Sequence, residues 1–203
     1  MDEHSDIWRK FYEKALLRPH LKRTEFVVRL NESRSNVAID CGCGTGSDIA
    51  FLEKQSYQVY GFDVNPEAIA ICRDRFQGTS LVEISEASFE SYDYPTAGIV
   101  LANSSLFFAD PSQFDRTWDK IKSSIEIGGV FAGDFMGEKD SWASNYRSPT
   151  TPLSERAVRA LFSGFEIVRF FERDENAKTS LGKVKHWHTY SVVAVRTASD
   201  RRL

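Results

Sequence analysis

The segment that most constrains this chain is VAIDCGCGTG, residues 37–46. A short apolar run passes into a turn with glycine at 42, 44 and 46, and residues 46–55 then read as a helix. Glycine lets a backbone take positive φ and approach a ligand closely, and a helix N-terminus behind the turn favours a negative group. A second apolar run, residues 57–63, ends on Asp63. A carboxylate there can accept hydrogen bonds from both hydroxyls of a ribose. Together these parts describe a nucleoside site at the carboxyl edge of a parallel sheet. The context carries the inference, since a tight glycine turn alone is common.

The rest of the chain alternates in the same way. Apolar runs at 80–84, 98–102 and 129–135 read as strands three to five. Asn65-Pro66 and Asp110-Pro111 each combine a capping side chain with a first-turn proline, predicting helices to about Gln77 and through Ile125. Residues 137–153 read as a long connection, and Ser154 caps a helix ending near Phe162. Runs at 165–171 and 188–195 have no helix between them, which predicts an antiparallel hairpin. Residues 5–31 read as two helices meeting near Pro19. The expected organisation is an N-terminal helical segment over 1–35 covering the site, an α/β domain over 36–196 and a polar tail over 197–203.

Composition narrows the function. The 203 residues are 41% hydrophobic and 13% aromatic, as expected for a chain with a packed core. A net charge of −3 argues against strong electrostatic binding to nucleic acid. No apolar run reaches the length of a membrane span, and Met1–Lys10 is charged with no apolar stretch behind it, so neither a span nor a leader is expected. Three cysteines, two of them one residue apart, fit free thiols in a reducing compartment rather than a zinc site. A cytoplasmic protein is expected.

The glycine spacing departs from the nicotinamide fingerprint: counting from Gly42, the sixth place is Ser47, and the third glycine comes early, at Gly46. With Asp40 before it, this pattern resembles the class I S-adenosylmethionine (SAM)-dependent methyltransferases. YGFDVNP at 60–66 is similar to their second motif, ASF at 87–89 stands at the adenine position, where Asp is more usual than Ser88, and Gly128-Gly129 precedes strand five. The resemblance implies a Rossmann-like sheet of seven strands, mostly parallel with strand seven antiparallel, and helices on both faces. It implies that Asp40 organises the turn, that the backbone of Gly42, Cys43, Gly44 and Gly46 meets the methionine part, and that Asp63 holds the ribose. Val64 would pack on the adenine, Ser88 and the Phe89 amide read its edge, and Asn103 lie beside the methionine chain. Val64 and Phe89 are also ordinary core residues, and Asn103 an ordinary turn residue.

Topology brings two further clusters to the same edge, GEKDSW at 137–142 and KHWH at 185–188. DFMGEKDSW at 134–142, KTSLG at 178–182 and KHWH resemble a bacterial group of small-molecule methyltransferases loosely related to tellurite-resistance and thiopurine enzymes. His186 and His188 alternate onto one strand face and Trp187 onto the other. The histidines are read as substrate-contacting or as edge residues bound to the loop. Without an evident third ligand, no metal is assigned. Trp142 and Trp187 are candidate acceptor-pocket walls. His186, His188, Asp140 and Tyr12 are the candidate bases. Trp8 and Tyr12, four apart on one helix face, either pack that helix or close a lid over the cofactor.

The expectation is a SAM-dependent methyltransferase acting on O, N or S of a small-molecule acceptor, as a monomer or homodimer. A nucleic-acid methyltransferase is a rival, disfavoured by charge and by NSSLF at 103–107, which lacks the tetrapeptide of adenine-N6 enzymes. A non-catalytic SAM- or nucleoside-binding domain is the other.

Overall fold

The computed structural model describes residue 12 and residues 14–146 and 148–198. Trp8 and the tail from residue 199 lie outside the described residues. A helix α1 (Lys22–Leu30) precedes β1 (Val37–Cys41), α2 (Ser47–Lys54), β2 (Gln58–Asp63), α3 (Pro66–Phe76) and β3 (Val82–Glu86). Then come β4 (Ala97–Ala102), a single 3-10 turn (Leu106–Phe108), α4 (Phe114–Ser124) and β5 (Ile125–Gly137). The chain continues through α5 (Trp142–Asn145), β6 (Pro152–Leu153) and α6 (Glu155–Leu161) to β7 (Phe165–Lys178) and β8 (Val184–Arg196).

The sheet order is β3-β2-β1-β4-β5-β8-β7, with β6 added beside β5. All central pairings are parallel, and β8 runs antiparallel to both β5 and β7. The chain builds outward from β1 through β2 to β3, then returns to place β4 on the other side of β1. That reversal between β1 and β4 opens a crevice at the carboxyl edge. Both sheet faces are covered. Val27 of α1, Ile49 and Leu52 of α2 and Cys72 of α3 pack on one face. Trp118 of α4 and Val158 of α6 pack on the other, where the Trp118 indole meets Phe131 and Phe162 edge-on.

Local capping follows the sequence at α3 and α6. The Asn65 side chain accepts from Glu67 N–H, and the Ser154 hydroxyl accepts from Ala157 N–H. At Asp110 the outcome differs. Its carboxylate accepts from Ser112 N–H and closes a turn, and α4 begins only at Phe114. The sheet has eight strands rather than seven, because the two residues of β6 join β5 within the connection expected over 137–153. The terminal hairpin is also much longer than the apolar runs indicate. β5 pairs β8 only as far as Thr189, and beyond that β7 and β8 continue as a two-stranded arm to Lys178 and Val184. With no third strand beside it, the arm needs no continuous apolar face, so its segment ERDENAK carries no strand pattern.

Candidate active site

The glycine turn is fixed to the end of β2 by three backbone donors. Gly42 and Cys43 N–H both reach the Phe62 carbonyl, at 2.8 and 2.9 Å, and Gly44 N–H reaches Asp63 Oδ2 at 3.0 Å. All three turn glycines have positive φ. At Gly42 a Cβ would also lie 2.5 Å from Ser105 Cβ, so only glycine lets the turn pack against the segment after β4. Around Gly44 there is open space, with the Tyr12 ring edge at 4.0 Å, a cradle a bulkier residue would narrow. Tyr12 is buried over this turn, and burial followed by the Asp63 charge pushes its phenol upward.

Three carboxylates gather here. Asp63 is pushed up by burial, against backbone donors from Asn65, Gly44 and Val64. Asp40 is buried and makes no side-chain hydrogen bond among the described residues; burial, then Asp48, raises it well above the usual carboxylate range. Asp48, at the first turn of α2, accepts from Leu21 N–H, the Thr24 hydroxyl and Asn103 Nδ2. Val64 is 64% exposed, so it is a surface platform at the end of β2 rather than a core residue. Phe89 is core, set edge-on to Phe62. Ser88 N–H donates to Ser91 Oγ, and Ser88 Oγ accepts from Ser91 N–H. Asn103 is held between Asp48 and Arg23.

Across Asn103 lies a cavity of about 430 Å³, lined among others by Arg23, Phe107, Asp134, Phe171, Arg173 and Trp187. Its inner wall is an ion pair. Arg23 grips Asp134 with two hydrogen bonds of 2.8 Å, and Ser104 N–H and the Ser191 hydroxyl also donate to that carboxylate. Burial alone would push Asp134 up; the Arg23 guanidinium overrides it and holds the acid below the ordinary range. The Nε of Arg23 is buried without an acceptor among the described residues.

Strand alternation decides which residues of KHWH meet this cavity. Trp187, Thr189 and Ser191 line it, while His186 and His188 project from the opposite face. His188 is buried, with Nδ1 accepting from Lys139 N–H and Nε2 bound to Glu172 at 2.9 Å. Gly137 is glycine because any Cβ would overlap that imidazole. His186 bridges Asp174 and Asn176. The structure therefore directs both histidines away from the cavity, into hydrogen bonds with the arm and the loop. Asp140 does not face solvent. It is buried, pairs with Lys185, and accepts from Trp142 N–H and His188 N–H, which ties the loop to β8. Lys185 Nζ lies 4.1 Å from the ring centroids of both Trp142 and Trp187, so Trp142 stands behind Trp187 rather than in the cavity lining.

Glu172, Asp174 and His188 offer atoms within 4.8 Å of one another. A backbone N–H can only donate, so the imidazole proton sits on Nε2 and points to Glu172, which suits a hydrogen bond and not a metal bond. The sequence reading missed Arg23, Asp48 and Arg173, whose roles depend on contacts between distant segments. Asp134 stood in the DFMGEKDSW segment at 134–142, with no signal for its partner.

Residues 38–129 match a family described as a methyltransferase domain. The matched stretch contains the glycine turn, Asp63 and Asn103. Over 119 residues, 55% of this chain and 47% of the relative, the chain is 28% identical to carboxy-S-adenosyl-L-methionine synthase of Pectobacterium atrosepticum. The chain spans no more than half the length of the curated relatives it matches. A putative methyltransferase solved with the Trm112 activator of Haloferax volcanii superposes with a TM-score of 0.71 over 97% of both chains at 16% identity. The 1,6-didemethyltoxoflavin-N1-methyltransferase of Burkholderia thailandensis, solved with 1,6-didemethyltoxoflavin and S-adenosylhomocysteine, gives 0.62 over 87% of this chain and 78% of that one at 17% identity. At these identities the likeness is one of fold, and it is the class I fold expected from the glycine turn. Among the described residues no helix is long and apolar enough to cross a membrane.

Proposed function

We propose that the protein transfers a methyl group from S-adenosylmethionine to an O, N or S atom of a small molecule held in the cavity beside Asn103. The observation that carries this reading is adjacency. The cradle at Gly44 and the cavity at Arg23 share one edge of the sheet, separated by Asn103. The chemistry of the donors fits the cofactor: a ribose suits Asp63, an adenine face suits the exposed Val64, and a cation suits the cluster of Asp40, Asp48 and Asp63. When bound there, SAM would supply an electrophilic methyl on a sulfonium.

The chain's own contribution is placement. Trp187 and Phe171 offer flat faces to an acceptor, and the cavity walls exclude water from one side. Orientation of this kind can supply a large part of a displacement barrier, roughly 7–11 kcal/mol in the best intramolecular cases. Among the cavity residues the one carboxylate, Asp134, is already saturated by Arg23, Ser104 and Ser191. The arrangement therefore suits an acceptor atom that is ionised, or a neutral amine or thiol, more than one needing a strong base. S-adenosylhomocysteine and SAM should raise the melting temperature while NAD does not, and labelled methyl should move to a member of an acceptor panel. A shift with NAD alone refutes the cofactor assignment.

A further inference from the structure

Charge is partitioned along the sheet edge. Asp40, Asp48 and Asp63 gather at the glycine turn, whereas the cavity beyond Asn103 is lined by Lys22, Arg23 and Arg173 against one carboxylate, Asp134. That carboxylate is neutralised by Arg23 and filled by donors from Ser104 and Ser191. Arg173 is differently placed. Its Nε donates to Glu175 at 2.8 Å, its guanidinium carbon lies 4.8 Å from the Trp187 ring centroid, and its two Nη groups donate to no acceptor among the described residues. Arg173 is thus paired with Glu175 through Nε alone, whereas Lys22 forms no ion pair among the described residues and stands exposed at the same rim. The apolar surface between these cations is aromatic: Phe107 at the base, Trp187 on one wall, and Phe171, 65% exposed, at the mouth.

A planar guanidinium with two free donors matches the geometry of a carboxylate, and stacking on an indole holds the fork in place. We propose that the cavity takes a planar acceptor bearing an anionic group, with Arg173 as the residue that binds the anion and Lys22 adding charge at the rim. This rests on the methyltransferase reading above and names its acceptor class. A cationic acceptor meets Lys22 and Arg173 with no unsatisfied carboxylate to receive it.

The test uses three probes with the same ring and hydroxyl and a charge of −1, 0 or +1: 4-hydroxybenzoate, 4-hydroxybenzamide and 4-hydroxybenzylamine. Each is titrated into the full chain loaded with S-adenosylhomocysteine, at one ionic strength. The benzoate should bind tenfold or more tighter than the amide, and the amine weakest. Arg173→Gln should erase the preference for the benzoate and leave S-adenosylhomocysteine affinity and melting temperature within error of the parent. Equal affinity for the three probes, no measurable binding of the benzoate, or a preference that survives Arg173→Gln overturns the anion site. Failure to bind S-adenosylhomocysteine overturns instead the cofactor reading, and the two results are separated because cofactor binding is measured first.

Discussion

Replacing Arg23 by Met isolates the ion pair that joins the N-terminal segment to the sheet. The side chains of Arg23 and Asp134 are 17% and 11% exposed, so little solvent screens the pair. The substitution removes both 2.8 Å bonds to Asp134 and the bond to Asn103, while Ser104 and Ser191 go on donating to an uncompensated carboxylate. Breaking a buried pair from one side costs about 3–5 kcal/mol, which at roughly 2–4 °C per kcal/mol lowers Tm by about 6–20 °C. The sign with pH follows from Asp134. Its folded pKa is depressed, so in the parent its stabilisation is present above the unfolded value, about 4, and is lost as pH falls through the folded value. Without Arg23 burial raises that acid, so the penalty of the variant shrinks as pH falls and Asp134 takes up a proton. Denaturant unfolding at pH 7 and pH 5 measures both effects. Adding Asp134→Asn to the variant removes the stranded charge and should restore part of the loss. A cost below about 1 kcal/mol, typical of exposed pairs, or no recovery in the double variant, would refute the argument that charge rather than packing holds this corner.

Asp63→Ala should weaken S-adenosylhomocysteine about 10–100-fold by calorimetry, since hydrogen bonds to a charged group contribute about 1.5–3 kcal/mol; unchanged affinity would make it a strand-end anchor only. Asp40 holds its proton well above the usual carboxylate range, so its favourable share of stability is complete below the unfolded pKa and fades as pH rises. A cationic ligand beside it favours the ionised form, so SAM binding should release protons, seen as a dependence of the binding heat on buffer ionisation enthalpy; no dependence would mean the cofactor's charge lands elsewhere. Trp187→Ala should reduce methyl transfer tenfold or more with cofactor affinity intact, whereas His188→Ala should lower Tm and leave the rate of the folded enzyme unchanged; the reverse pattern would return the histidines to the reaction. Lys185→Met strands Asp140 and should cost about 3–5 kcal/mol in denaturant unfolding, and a near-neutral result would show that Asp140 is solvated there.

Residues whose roles are local were legible in the sequence, and residues whose roles are set by pairing between distant segments were not. Gly42, Gly44, Gly46 and Asp63 lie within one strand–turn–helix–strand unit, so spacing alone placed them together. The Asn65 and Ser154 caps act within three residues. KHWH showed the opposite limit. Its alternation is local, and the separation of Trp187 from the two histidines followed from it. Which of the two faces turns to the cavity depends on the register of β8 against β5, where Ser191 falls opposite Asp134. Both faces of β8 are apolar further along, with Val193 on one and Val192 on the other, so hydrophobic pattern does not mark one as inner. Arg23 is the extreme case. Nothing near it in sequence distinguishes it from the other cations of the N-terminal segment, and its partner lies 111 residues away. The same pairing that hides Arg23 from sequence reading makes it a link between two parts of the sheet edge. It holds Asn103 at the glycine-turn crevice with the guanidinium that grips Asp134 in the cavity, so a shift of α1 must move both walls together.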